Sequence, residues 1–221
     1  MRYLFGYGYL ALAFFLVTVL KRLFFMRAEL SRKLLHILIG YTYVILYDHF
    51  ILPENVSPYE LLVMPISFIL INYLSYRYRI FDIMERDGED NHPGTVYYAI
   101  AVTLLMAGTI LFPVTVIPSG IAIFALSLGD GFAAIFGTLF GKYGPRIGRK
   151  KSLIGSLACL IGAVGGIYLL MLFVPFSFPF YAVLALGAVT ALCELMPFGL
   201  DNFTILFGVA AAATLFMEVL L

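Results

Sequence analysis

Residues 125–137, ALSLGDGFAAIFG, set one carboxylate, Asp130, between Gly129 and Gly131 in a run otherwise apolar enough for hydrocarbon. If that run crosses a bilayer, the whole chain is a membrane protein, because most of it is at least as apolar. An ionised carboxylate at the bilayer centre costs roughly 2.5–3.5 kcal/mol on insertion scales, so it persists where something pairs with it. Two readings follow: Asp130 ties neighbouring helices together, or it works on a ligand. Within a membrane span the second is favoured, because polar groups there are rare and usually functional.

The rest of the chain supports the membrane reading. Of its 221 residues 62% are hydrophobic and 12% charged, and the mean hydropathy is +1.00. Soluble domains carry about 25% charged residues. The expected class is an all-α integral membrane protein forming a single polytopic domain over 1–221. A net charge of +1 gives no reason to expect a nucleic-acid partner. Cys159 and Cys193 lie in apolar runs without metal or redox spacing, and are read as packing residues. Arg2 precedes the first apolar run while Lys21 and Arg22 follow it, the reverse of a signal peptide's charge order.

Runs of 17–25 apolar residues span a bilayer as helices. About eight are expected (seven to eight): 3–20, 34–52, 61–78, 94–112, 117–140, 153–174, 178–196 and 203–220. Of the 14 Lys and Arg residues, five fall in 21–33, three in 77–86 and five in 142–151. These clusters follow spans 1, 3 and 5, while the segments 53–60, 113–116 and 175–177 carry none. Positive charge marks the cytoplasmic side, so the N-terminus is placed outside. Every polar cluster then falls on the cytoplasmic face, and an active site is expected there.

Several groupings on that face carry chemistry. Ala133, Gly137 and Gly141 recur every four residues, which lets a neighbouring helix or a nucleotide approach closely; helix packing is the favoured reading. In 141–156, Lys142, Arg146, Arg149, Lys150 and Lys151 precede Ser152, a natural N-cap, with open amide groups expected at Leu153 to Gly155. Cations beside a helix N-terminus make a phosphate site, although a basic loop also sets topology and meets anionic lipid. Arg32, Lys33 and His36 share one helix face, suited to an anion or to proton transfer. Pro93 and Gly94 before Thr95 start another helix, while Asp87, Glu89 and Asp90 read more readily as a solvated loop. Glu194 and Asp201 flank a Pro197–Gly199 break, and with Asn202 and Asp130 they offer oxygen ligands suited to Mg²⁺.

Gly129-x-Gly131-x-x-Ala134 lacks the preceding strand of a dinucleotide fold, and 137–142 is one residue short of a P-loop, so both matches fail. What remains is a set of cations, helix starts and carboxylates beside the bilayer. Those are the parts of phosphoryl transfer to an acceptor dissolved in lipid.

The sequence resembles the polyprenol, dolichol and phytol kinase family, the CTP-using lipid alcohol kinases that include yeast-type diacylglycerol kinase. RKLLH (32–36), GTVYY (94–98), GDGFAAIFGTLFG (129–141), KKSLIGS (150–156) and CELMPFGLDN (193–202) carry the likeness, over about 31–206. It implies transfer of the γ-phosphate of CTP, or of another nucleoside triphosphate, to a long-chain alcohol. By that likeness Asp130, Lys151, His36 and Glu194 are the catalytic candidates. Gly129, Gly131, Ala133, Gly137, Gly141, Lys142, Arg146, Lys150, Lys151, Ser152, Gly155 and Ser156 would form the nucleotide side. Arg32, Lys33, His36, Gly94, Thr95 and Tyr98 would lie on the lipid-acceptor side. Asp130, Asp201, Asn202 and Glu194 would hold the metal, Mg²⁺ or another divalent cation. Ile154 stands where the family often has an acid.

Two alternatives stay open. A CTP:lipid-phosphate cytidylyltransferase would use similar parts and release pyrophosphate. An ion-coupled transporter would use a helix broken at Gly129–Gly131 around a midplane ion site. The small-residue face of 133–141 serves a second copy of the chain as readily as an internal helix.

Overall fold

The computed structural model describes residues 1–81, 93–147, 151–196 and 201–220. Helices dominate, and contacts divide the chain into two compact units, Met1–Ile110 and Leu111–Leu221.

In the first unit, α1 (Arg2–Leu23) buries Gly6, Ala13 and Val17. Its tyrosines anchor it sideways: Tyr9 Oη donates to the Leu38 carbonyl at 2.7 Å, and the Tyr7 and Ser67 hydroxyls meet at 2.7 Å. The chain then reverses through Phe25, at a left-handed φ of 48°. Next come α2 (Ala28–Gly40) and α3 (Thr42–Leu46), which runs into a wide π-type turn at Tyr47–Ile51. Together they make one 24-residue apolar segment, Ala28–Ile51. A short 3₁₀ turn, Pro58–Leu62, leads into α4 (Val63–Tyr78), which ends at Arg79 in a left-handed conformation. The unit closes with α5 (Gly94–Leu111).

In the second unit, α6 (Val116–Phe140) packs against α7 (Leu153–Met171), α8 (Phe180–Glu194) and α9 (Asp201–Leu220). Its core, with Phe124, Ile167, Leu186 and Ile205, is fully buried. Between α6 and α7 lies a small hairpin that the sequence did not announce. Strand β1 (Arg146–Ile147) runs antiparallel to β2 (Lys151–Ser152), with Ile147 opposite Lys151.

The helix break that the transporter alternative would use at Gly129–Gly131 is absent: α6 is one continuous helix of 25 residues. Glycine costs up to about 1 kcal/mol in a helix interior, and here close packing offsets it. A Cβ at Gly129 would lie 3.2 Å from the Cys159 carbonyl oxygen and 3.2 Å from Thr190 Cγ2. On the facing helix, Cβ atoms at Gly162 and Gly166 would come within 2.5 Å and 2.6 Å of the Leu128 and Phe124 carbonyl oxygens. Small residues on both sides let the two backbones touch, the usual solution where lipid removes the hydrophobic drive between helices.

Among the described residues seven segments are long and apolar enough to cross a membrane. The expected span at 178–196 is the exception; its helix, α8, has 15 residues. Both cysteines are free, and Cys159 is buried in the core.

Candidate active site

Four elements of the second unit bring charge together. Lys151, on β2, places its ammonium 3.0 Å from Glu194 Oε1 at the end of α8. The same Nζ lies 3.8 Å from Asp201 Oδ2 at the start of α9. Asp130, from within α6, completes the group: its charge acts on Glu194, as does that of Asp201.

Local structure explains how these side chains meet. Thr204 Oγ1 lies 3.4 Å from the Cys193 carbonyl and 3.1 Å from that of Asp201, which holds the start of α9 against the end of α8. Thr190, one turn before Glu194, packs on Gly129, the neighbour of Asp130. The hairpin carries Lys151 to the mouth of α7, where Ser152 caps the helix and its Oγ accepts from the Gly155 amide at 3.1 Å. The Glu194 side chain is only 12% exposed and that of Lys151 24%, so their attraction is weakly screened.

Two of the three amides expected to stay open at this helix start, those of Leu153 and Gly155, are engaged within the chain. The Leu153 N–H donates to the Pro145 carbonyl at 2.9 Å, and that of Gly155 to Ser152. Turn and cap consume two of the donors that an anion would have used. The Ala133, Gly137 and Gly141 face is likewise occupied. Cβ atoms at Gly155 and Gly141 would meet the Ala133 carbonyl oxygen at 3.3 Å and Ser152 Oγ at 2.8 Å. This stripe packs α6 on α7, the reading the spacing favoured. Gly131 is buried in the same helix, and Ser156 Oγ donates to the Ser152 carbonyl.

Of the basic loop, Lys142 and Arg146 are exposed, and the Lys142 ammonium lies 4.7 Å from the centre of the Tyr143 ring. Arg149 and Lys150 lie outside the described residues, as do Asp87, Glu89, Asp90 and the 197–199 break. Ile154 packs over Gly144.

For the expected metal set of Asp130, Asp201, Asn202 and Glu194, the structure shows two things. Among the described residues no three His, Cys, Asp or Glu side chains stand close enough to hold a metal alone. One lysine bridges two of the carboxylates. The donor set is nevertheless hard oxygen, and Mg²⁺ is commonly held by one or two carboxylates with phosphate oxygens and water. The donor chemistry therefore suits a metal held partly by oxygens from outside the protein.

In the first unit, α2 carries Arg32, Lys33 and His36. The Arg32 guanidinium forms a fork with Glu29, at 2.6 and 3.2 Å, so its charge is committed within the helix. Lys33 is buried at 9% exposure. His36 meets the Tyr98 ring edge-on, centroids 4.6 Å apart and planes at 66°. Gly94 and Thr95 open α5, one turn before Tyr98. Acceptor-side candidates from two distant motifs thus come together.

Sequence reasoning missed Gly162, Gly166 and Thr204. A Gly-x-x-x-Gly spacing in α7 was the available signal for the first two; Thr204 offered none, since its role depends on where α8 ends.

No known family profile matches the chain, and no solved structure matches it. Among characterised proteins it is similar to a phytol kinase from Synechocystis sp., 27% identical over 212 residues. The match covers 93% of this chain and 87% of that protein. This likeness supports the polyprenol and phytol kinase family and, at that level, a lipid alcohol kinase in a multi-pass membrane protein.

Proposed function

Taking the chain as a relative of phytol kinase, we propose that it transfers the γ-phosphate of CTP to the hydroxyl of a membrane-dissolved isoprenoid alcohol, on the cytoplasmic face. The observation that carries this reading is the Lys151–Glu194–Asp201 cluster with Asp130 beside it, in a unit otherwise built for lipid. Carboxylates gathered around one ammonium suit a polyphosphate that brings its own cation.

In this reading the alcohol oxygen bonds to the γ-phosphorus as the bond to the β–γ bridging oxygen breaks, and the nucleoside diphosphate leaves. The hydroxyl proton passes to a carboxylate, Asp130 or Glu194. Lys151 turns from the carboxylates to the phosphates and neutralises charge on the transferring group, a role worth several kcal/mol in a dry site. One or two of the carboxylates Asp130, Glu194 and Asp201 would hold Mg²⁺, with Asn202 beside them, and its chemistry would be to draw electron density from the phosphate oxygens. CTP as donor rests on the family resemblance and the basic loop rather than on any shape in the site. The continuous α6 removes the broken helix on which the transporter alternative stood.

The test is a thermal-shift panel on detergent-purified protein with Mg²⁺ and CTP, ATP, GTP or UTP, since a ligand that binds only the folded state raises apparent stability. A rise with CTP that vanishes in Asp130→Asn, followed by formation of a lipid phosphate and CDP, supports the kinase. Pyrophosphate and a CDP-lipid would replace it with the cytidylyltransferase. No shift with any nucleotide would overturn both.

A further inference from the structure

Where α1 ends, the first unit encloses a cavity of about 520 Å³, within the range of small-molecule sites. Its described walls come from the last turns of α1, the turn that follows, and the chain just after α4. Both helices belong to segments of membrane-crossing length. From Phe14 to Arg22 the wall of α1 is about 12 Å long, at 1.5 Å per residue. Its deep end is aromatic: Phe14 and Phe81 meet edge-on, ring centroids 4.6 Å apart. Its other end is basic, with Lys21 and Arg22 at the cavity wall. Between them, Thr18 turns its hydroxyl proton inward to the Phe14 carbonyl at 2.8 Å.

Backbone strain collects at the same place. Among the described residues, Phe25 and Arg79 alone are non-glycine residues in left-handed backbone, at φ 48° and 50°. Phe25 lines the cavity, and Arg79 immediately precedes Ile80, which also lines it. Helices often end in this conformation, but on glycine or asparagine. Phe25 is 92% exposed, so packing within the chain does not account for it. Strained residues of this kind concentrate at ligand clamps.

The basic pair is not needed to finish α1. Lysine and arginine near a helix end can cap its last carbonyls, but here the backbone caps two of them. The Phe24 N–H donates to the Leu20 carbonyl at 3.0 Å, and that of Met26 to the Lys21 carbonyl at 3.1 Å. Arg22 is exposed. No acidic side chain is among the described lining residues, so the cavity suits an anion. It also lacks a carboxylate there to hold a metal or accept a proton, unlike the Lys151–Glu194–Asp201 cluster.

We propose that this cavity is the site of a resident anionic phospholipid. Its phosphate lies against Lys21 and Arg22, and the upper part of one acyl chain lies between Phe14, Met26, Ile80 and Phe81. A cavity beside hydrocarbon fills with lipid, and the two cations decide which lipid. With the Thr18 hydroxyl proton committed to its own helix, the mouth reads charge rather than headgroup shape. Basic residues at a membrane border attract anionic lipid in general; a built cavity adds dependence on shape and position. The assignment does not rest on the kinase reading.

The experiment is photocrosslinking of the full chain in phosphatidylcholine nanodiscs. The probes are phosphatidylglycerol and phosphatidylcholine, each with a diazirine in the upper part of one acyl chain. Expected are adducts at Phe14, Met26 and Phe81 with the anionic probe, competed by unlabelled phosphatidylglycerol and much weaker with the neutral one. Arg22→Gln should cut them about fivefold, the worth of one basic contact. Arg27→Gln, on a residue outside the lining, should leave them unchanged. Because losing basic residues can disturb insertion, Thr18→Phe is the second variant: it keeps every charge, fills the cavity and should abolish the adducts. Equal labelling by both probes would overturn the proposal, as would equal losses in Arg22→Gln and Arg27→Gln or undiminished labelling in Thr18→Phe. Full competition by glycerol phosphate without a chain would make this a site for soluble phosphate and overturn the lipid assignment.

Discussion

Lys151 and Glu194 form an ion pair of 3.0 Å between the loop preceding α7 and the last residue of α8, and Asp201 holds the same ammonium from 3.8 Å. One cation thus joins three elements of the second unit.

Replacing Lys151 by Met removes the charge and keeps the volume. Phosphate transfer is expected to fall about 10²–10³-fold, the loss typical of a single electrostatic stabiliser. Leaving Glu194 without its cation should lower stability by about 1–3 kcal/mol. Adding Glu194→Leu should recover much of that stability and none of the activity, since removing both partners of a pair is milder than removing one. Denaturation midpoints of the single and double variants, read beside the rate, make the comparison. A Lys151→Met enzyme at full rate would remove Lys151 from the reaction.

Asp130→Asn keeps shape and hydrogen bonding and removes a charge. The expected result is loss of transfer with unchanged membrane insertion and little change in thermal midpoint. A wild-type rate would return Asp130 to the structural reading.

Gly162→Ala should destabilise the protein by about 1–3 kcal/mol, because the added carbon meets backbone that cannot swing away. Gly165, three residues on, has nothing within 4 Å of its Cβ position. Gly165→Ala is therefore expected to be neutral or to gain about 0.4–1 kcal/mol. Equal midpoints for the two variants would mean that α6 and α7 do not touch as described.

Ser152→Ala removes the side-chain acceptor of the Gly155 amide, and should cost about 1 kcal/mol. Ser152→Asp, which caps as well, should restore it. If both variants equally weaken nucleotide binding, Ser152 contacts the ligand rather than the helix.

The orientation read from the basic loops is testable by single-cysteine labelling of intact cells, with Cys193 replaced and buried Cys159 left in place. Tyr59→Cys should react with an impermeant reagent, and Tyr143→Cys only after the membrane is opened. Both positions are well exposed, at 73% and 74%. The reverse pattern would invert the topology.

Much of this architecture was legible along the chain, because membrane helices are specified locally. Transfer of each side chain into hydrocarbon is set by its own chemistry, so apolar runs mark the helices and lysines and arginines mark their ends. The spans from 3–20 through 203–220 accordingly resemble the helices found, and the Ala133–Gly137–Gly141 spacing marked a packed face. The sequence also singled out Asp130, Lys151, Glu194 and Asp201, without saying which would touch.

What only the tertiary structure decided is lateral. Gly129 and Gly131 read as a break because glycine weakens a helix, yet they lie in an unbroken one where Cys159 and Thr190 press against Gly129. The amides before Gly155 read as open, yet Pro145 and Ser152 take two of them. His36 and Tyr98, from separate motifs, share one ring contact. In each case a backbone or side chain far along the sequence supplies the partner. Hydropathy places a helix in the membrane, but its neighbours are chosen by close contact between surfaces, which no local pattern encodes.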